Sequence, residues 1–294
     1  MRKVDLAAQL QRAEAALLEL NLRPDPSAPA GTGGVRIVRI DGVVCLAVPA
    51  APMPYINRAL GFGTIAPATP RLLERLTAHY DALGRETRIS VASGHTPDAA
   101  VRLLERSGFV LDPEMDQLIY LRAGRRAPEP PEIPGLRLLR VRTAADAERF
   151  ADAAEASFGA ERGPGYRASV RQLLERARSG RSMIAVLGVI GDRPVATGML
   201  HFLGPVCGLG TGSVLPEHRG QGIQRALLAE RIRIGFGRGA NRYFAFTEHP
   251  ASARNLEQLG FRKAYDQRSW VRAVTAGAGR TARTGGAAAI AGAR

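Results

Sequence analysis

The first twenty-two residues set leucines and alanines at helical spacing among Asp5, Glu14 and Glu19. That pattern predicts an amphipathic helix, not the unbroken apolar stretch of a secretory leader. Apolar positions then shorten to strand-length runs, Val35–Ile40 and Val43–Val48, joined by the hairpin pair Asp41-Gly42. Helical spacing returns over Pro70–Leu83 and Pro97–Ser107, with a strand at Arg88–Ala92 between them and another at Leu118–Leu121. From 123 to 135 the chain holds four prolines and two glycines, which neither a helix nor a central strand accommodates, so this stretch reads as a linker. Beyond it the pattern predicts strands at Leu136–Val141, Met183–Val189, Val195–Phe202, Cys207–Leu215 and Arg242–Thr247, and a closing strand pair over Phe261–Val271. Helices are predicted from the Thr143 cap to Ala156, and over Tyr166–Ala177, Ile223–Phe236 and Ser252–Leu259. From Ala273 onward periodicity stops and bulky apolar residues nearly vanish, the signature of a disordered tail.

The two halves echo each other. Leu104-Glu-Arg-Ser-Gly-Phe109 matches Leu256-Glu-Gln-Leu-Gly-Phe261 in spacing. Each copy has a His and a Pro upstream (His95 and Pro97; His249 and Pro250) and Asp-Gln downstream (Asp116-Gln117; Asp266-Gln267). Such agreement points to a duplicated unit. The expected architecture is mixed α/β in two tandem domains, each a twisted mixed sheet flanked by helices. The first spans 1–122, the linker 123–135, the second 136–272 and the tail 273–294.

Composition changes this picture little. The chain has 294 residues, 45% hydrophobic and 23% charged, and lacks an apolar run long enough to cross a membrane. Cys45 and Cys207 are isolated and form no metal-ligand spacing, so no metal is expected and the chain reads as cytoplasmic. A net charge of +14 raises the question of nucleic acid. Only Lys3 and Lys263 are lysines, the arginines are dispersed, and no aromatic residues interleave with them as stacking platforms. The charge therefore reads as a solvated arginine-rich surface that also favours anionic ligands.

One segment carries chemistry: Ser213-Val-Leu-Pro-Glu-His-Arg-Gly-Gln-Gly-Ile-Gln-Arg-Ala-Leu-Leu228. A strand ends at Leu215, Pro216 stops its ladder, and a glycine-rich turn opens a helix. Such a turn aims backbone N–H groups at the positive end of the helix dipole. Gly220 and Gly222 let a phosphate approach the backbone, and Arg219 adds fixed positive charge. The turn lacks the Lys-Ser/Thr of a P-loop and the spacing of a dinucleotide-binding turn.

Here the chain resembles the GCN5-related N-acetyltransferases. Their signature, Arg/Gln-x-x-Gly-x-Gly/Ala, reads Arg219-Gly220-Gln221-Gly222-Ile223-Gln224, with Gln224 in a position where Gly or Ala is usual. A side chain of that length crowds the phosphates unless it turns aside. Asn255-Leu-Glu-Gln-Leu-Gly-Phe261 is similar to the family's helix-to-strand ending, and the resemblance covers 136 to about 272. The N-terminal half shares only the Gly-Phe ending and reads as a degenerate copy without a cofactor site.

The resemblance implies acetyl-CoA, or another acyl-CoA, as cofactor, held by residues 219–224 and Asn255. It implies that Val214 and Leu215 supply a backbone N–H to the thioester carbonyl. The activity it implies is transfer of an acetyl group to a primary amine of a small molecule or peptide, with direct attack by the amine. The family's usual proton handlers are missing. The strand Gly208-Leu-Gly-Thr-Gly-Ser-Val214 carries no acid, and Leu256 occupies the position of the usual tyrosine. Glu248, at a strand's C-terminal end, is the candidate base, and Tyr265 the candidate acid. The absent acid and base leave open a second reading, a non-catalytic acyl-CoA-binding sensor.

Overall fold

The structure is a computed structural model that describes residues 3–22, 36–48, 56–124, 126–162, 166–178, 181–204 and 206–274. In chain order the N-terminal half forms α1 (Lys3–Leu22), β1 (Arg36–Ile40), β2 (Val43–Ala47), β3 (Arg58–Leu60), α2 (Pro70–Asp81), β4 (Thr87–Ala92), α3 (Asp98–Arg106), β5 (Val110–Leu111) and β6 (Gln117–Ala123). The C-terminal half forms β7 (Leu136–Arg140), α4 (Ala144–Arg162), α5 (Tyr166–Arg178), β8 (Met183–Ile190), β9 (Arg193–Leu203), β10 (Val206–Val214), α6 (Ile223–Phe236), β11 (Arg242–Thr247), α7 (Pro250–Gln258) and β12 (Arg262–Arg272). The α/β alternation expected from the sequence is present in both halves. Phe261–Val271 is one long strand, not a pair, because no turn residue interrupts it. The segment 275–294, expected to be a disordered tail, lies outside the described residues. No helix among the described residues is long and apolar enough to cross a membrane.

All twelve strands join in one sheet of order β1-β2-β3-β4-β12-β6-β11-β10-β9-β8-β7, with β5 on the side of β12. The two halves exchange their last strands. β6, from the first half, pairs with the whole of β11, Leu118–Ala123 against Arg242–Thr247. The first part of β12 continues outward from β6, whereas its second part, Gln267–Arg272, pairs with β4 of the other half. Each half therefore contains a strand that the other half contributes.

Both halves close the helix before these strands in the same way. Gly108 (φ 78°) and Gly260 (φ 80°) take the left-handed conformation after α3 and α7. The N–H of Phe109 reaches back to Leu104 O, and that of Phe261 to Leu256 O, each over 3.1 Å. The recurring Leu…Gly-Phe spacing thus encodes one physical device used twice.

Three layers result. α6 and α7 cover one face of the C-terminal half, α4 and α5 the other, and α2 and α3 cover the N-terminal half. α1 lies across the seam, packing Leu10, Leu17 and Leu18 against strands of both halves. Beneath it runs a buried polar network. Glu14 forms an ion pair with Arg58 of β3, Arg58 Nη1 donates to Gln117 Oε1 over 2.9 Å, and Gln267 Nε2 donates to Glu14 Oε1 over 3.1 Å. The network ties α1, β3, β6 and β12 together, and a buried pair satisfied by further hydrogen bonds is retained where a single arrangement is required.

Candidate active site

The site grows from a break in the ladder of β10. Parallel pairing of β10 with β11 runs from Val206↔Arg242 to Leu209↔Ala245 and stops there. The antiparallel register with β9 shifts in the next residues, between Gly210 and Ser213, and Thr211 takes φ 49°. Such a bulge bends the strand and ends its pairing. β10 therefore leaves β11 and opens a gap at the C-terminal edge of both.

Within that gap the two sequence-predicted carbonyl donors separate. Leu215 N–H is spent on Val195 O of β9, over 2.9 Å. Val214 pairs with Ala196, so it forms the alternate, non-hydrogen-bonded pair whose N–H and C=O face away from β9. Its carbonyl already accepts from Arg219 Nε over 3.2 Å, and its N–H faces the gap. Val214 is the available donor.

The chain next makes a single 3-10 turn at Pro216–His218 and enters the glycine loop. Gly220 has φ 79°, and Gly222, the N-cap of α6, has φ 81°. No side chain caps the helix, and among the described residues no acceptor takes the N–H groups of 220 to 225. A Cβ on Gly220 meets nothing within 4 Å, and one on Gly222 comes no nearer than 3.7 Å to Ile133 and 3.8 Å to Arg225. This is an open row of donors at a helix N-terminus, flanked by the exposed Arg219 and by Arg225, a form suited to a pyrophosphate. Arg225 was not singled out from the sequence. Its Nη1 donates to Gln258 Oε1 over 3.0 Å, which joins α6 to α7 and keeps the guanidinium beside the loop.

Gln224 turns aside. Its Nε2 lies 3.0 Å from where a Cβ of Gly212 would stand, so the side chain points under the bulge of β10, and the glycine there makes room for it. The crowding expected of this departure from the family signature is relieved by the missing Cβ of a neighbouring strand.

The equivalent loop of the N-terminal half is closed. β3 and β4 pair in parallel over only Ala59↔Ile89 and Leu60↔Ser90 before Gly61 and Gly63 turn the chain. The N–H groups of Thr64, Ile65 and Ala66 all donate to Gly61 O, over 2.8–3.2 Å. A Cβ on Gly61 would stand 2.7 Å from Ile65, and one on Gly63 2.8 Å from Thr96. Across the mouth, Gln11 of α1 donates to Ser90 O and accepts from Thr64 Oγ1. Donors, space and gap are all occupied by the chain itself, in keeping with a half that reads as lacking a cofactor site.

The two candidate proton handlers are not brought into one cavity. Glu248 follows β11 and lines an open cleft of about 430 Å³ with Glu114, Asp116, Gln117, Asp266 and Arg268. Arg268 pairs with Asp116 at 2.7 Å and Lys263 with Asp266 at 3.0 Å, whereas the ion-pair neighbour of Glu248 is His249 at 3.9 Å. Tyr265 does not line that cleft. It is buried under α1, its hydroxyl finds no hydrogen-bond partner among the described residues, and burial, followed by the nearby Glu14, pushes its pKa well above the phenol range. Asn255 is half-buried on α7, beside the loop's helix, and its side chain makes no hydrogen bond among the described residues. Among those residues no cluster of His, Cys, Asp and Glu is arranged to hold a metal.

Residues 147–261 match the family model described as the acetyltransferase (GNAT) family. No curated protein matches the chain. Solved structures similar to it include a GCN5-related N-acetyltransferase from Kribbella flavida, at 17% identity and a TM-score of 0.64, over 90% of this chain and 95% of that one. A GCN5-related N-acetyltransferase from Sphaerobacter thermophilus is 16% identical with a TM-score of 0.60, over 93% and 94% of the two chains. A tandem GNAT protein from the clavulanic acid biosynthesis pathway is 16% identical with a TM-score of 0.60, over 94% and 97%. At these identities the likeness establishes the fold, and its two-way coverage carries the fold over both halves.

Proposed function

We propose, from the match of residues 147–261 to the GNAT acetyltransferase family model, that this protein transfers an acetyl group from acetyl-CoA, or a related acyl group from another acyl-CoA, to a primary amine of a small molecule or peptide. The observation that carries the reading is the open row of N–H donors at 220–225 beside the free N–H of Val214. When bound, acyl-CoA supplies a thioester whose carbonyl carbon is the electrophile. The loop and Arg219 hold the pyrophosphate. Val214 N–H donates to the carbonyl oxygen, where negative charge grows as the amine attacks. The new C–N bond would replace the C–S bond, CoA leaving as a thiolate that takes its proton from solvent water, and the amine gives up a proton. Glu248, at the C-terminal end of β11, receives the ammonium proton directly or through water. We assign no proton transfer to Tyr265, whose hydroxyl is enclosed beneath α1.

Titration calorimetry with acetyl-CoA tests the cofactor site. Binding near 1 μM, about −8 kcal/mol, that Arg219→Glu and Gly222→Val each abolish supports it, and absence of binding by the parent protein refutes it. Turnover of an amine library then tests catalysis. Glu248→Gln is expected to lower kcat by roughly 10²-fold while leaving acetyl-CoA affinity unchanged. One observation favours the second reading, an acyl-CoA sensor: β10 brings no carboxylate to the gap. Tight acetyl-CoA binding without turnover of any amine decides for it.

A further inference from the structure

Among the described residues Arg231 is the largest fully buried side chain. It stands two turns along α6 from Gln224, on the same side of the helix. Among the described residues no carboxylate pairs with it. Its Nε donates to Leu227 O over 3.2 Å, and its Nη1 donates to Met199 O over 3.2 Å and to Gly210 O over 3.1 Å. Burying a guanidinium without a counter-ion is costly, and here burial lowers its pKa to about 9. Helix α6 alone does not need it, since an apolar side chain fills such a position at no electrostatic cost.

The strands do need it. Met199 and Gly210 are the last partners before the register of β9 and β10 breaks, and pairing resumes at Thr197↔Ser213. Met199 is buried and Gly210 half-buried, and each carbonyl has a second lone pair that a donor outside the ladder can take. Two glycines leave room for the guanidinium that takes them. A Cβ on Gly198 would lie 2.9 Å from the guanidinium, and one on Gly212 3.2 Å from it. Pairing of β10 with β11 ends at Leu209, one residue before the carbonyl that Arg231 holds.

We propose that Arg231 is a positioning residue: its guanidinium gathers the carbonyls of Met199 and Gly210 and so fixes the bulge that turns the Val214 edge of β10 away from β11 and sets the gap for the acyl-thioester arm. The second part of this inference rests on the proposed function; the first part does not. Arg231 touches neither cofactor nor acceptor. It acts through the backbone of β10.

Amide hydrogen exchange and acetyl-CoA calorimetry on Arg231→Lys and Arg231→Met separate the two parts. Exchange over 208–216 is expected to quicken at least tenfold in Arg231→Met while β8 and β12 keep parental rates. Acetyl-CoA affinity is expected to fall about tenfold or more, and Arg231→Lys, which retains a donor, recovers part of both losses. A general loss of stability would instead quicken all strands alike. If Arg231→Met does not fold, Gly198→Ala displaces the guanidinium without removing it and is read the same way. Unchanged exchange over 208–216 overturns the brace. Quickened exchange with unchanged acetyl-CoA affinity overturns its link to the gap. A parent protein that binds no acetyl-CoA defeats the functional reading, and the exchange result still decides the brace.

Discussion

Docking of α1 over the C-terminal half can be tested at one atom. Gly208 lies in ordinary extended backbone within β10, and a Cβ there would stand 2.5 Å from Leu17 Cδ1 and 3.0–3.1 Å from the ring of Phe244. Gly208→Ala gains about 0.5–1 kcal/mol from reduced backbone freedom but overpacks a filled site at a cost of about 1–3 kcal/mol. The net is destabilisation by about 1–2 kcal/mol, with the two principles combined. Leu17 is 1% exposed, so Leu17→Ala costs about 3 kcal/mol as a buried truncation. Independent sites would sum to about 4–5 kcal/mol. Here the added methyl enters the space that Leu17 vacates, so the double variant should lose only about 2–3 kcal/mol, a coupling of about 2 kcal/mol. Residual contact with Phe244 keeps the rescue incomplete. Urea unfolding of the four proteins at constant slope measures each term. Additivity within about 0.5 kcal/mol would mean that Leu17 does not sit on Gly208, and the position of α1 would have to be revised.

Tyr265→Phe removes a buried hydroxyl without a partner, so stability should hold or rise by up to about 1 kcal/mol and kcat should stay within about twofold; a large loss of kcat would restore Tyr265 as a proton donor. Gln224→Ala should leave acetyl-CoA affinity within about threefold, under 1 kcal/mol, because the side chain already points under Gly212, and a marked gain in calorimetry would show that it crowds the phosphates. Deletion of residues 1–127 removes β6 from between β11 and β12, so the remaining chain should lose cooperative unfolding by circular dichroism; a folded, acetyl-CoA-binding remnant would refute the strand exchange.

What the sequence discloses follows from how local its physics is. α6 and β11 appear at the predicted limits because Gly222, Gly237 and a clean apolar run mark their ends without outside help. The proposed phosphate loop is equally local: its glycines, its arginine and the following helix are contiguous. β3 escapes the pattern because its three residues begin with Arg58, a charge that would read as solvent-facing but is buried against Glu14 from forty-four residues earlier. Strand exchange escapes it altogether. Nothing in Gln117–Ala123 says that its neighbours will be Arg242–Thr247 rather than the strands of its own half, since pairing partners are chosen by the whole sheet and not by the run itself.

Arg231 stands between these cases. Within α6 it is one arginine among several, and helical spacing gives no reason to separate it from Arg225 or Arg233, which remain near the surface. Its signal lies in other strands, in Gly198 and Gly212, because a glycine inside a strand marks a bulge or the close approach of another group. Read together, two such glycines on adjacent strands call for bulky partners from the helix above, and Gln224 and Arg231 are the polar side chains of α6 that answer. The same substitution of space explains both departures from the family pattern. A long residue replaces Gly or Ala in the loop, and small residues appear in the strand where a carboxylate is usual. On that account, restoring the carboxylate to the strand alone should fail: Gly212→Glu in an otherwise parental chain collides with the guanidinium and Gln224, and should lose acetyl-CoA binding rather than gain a base.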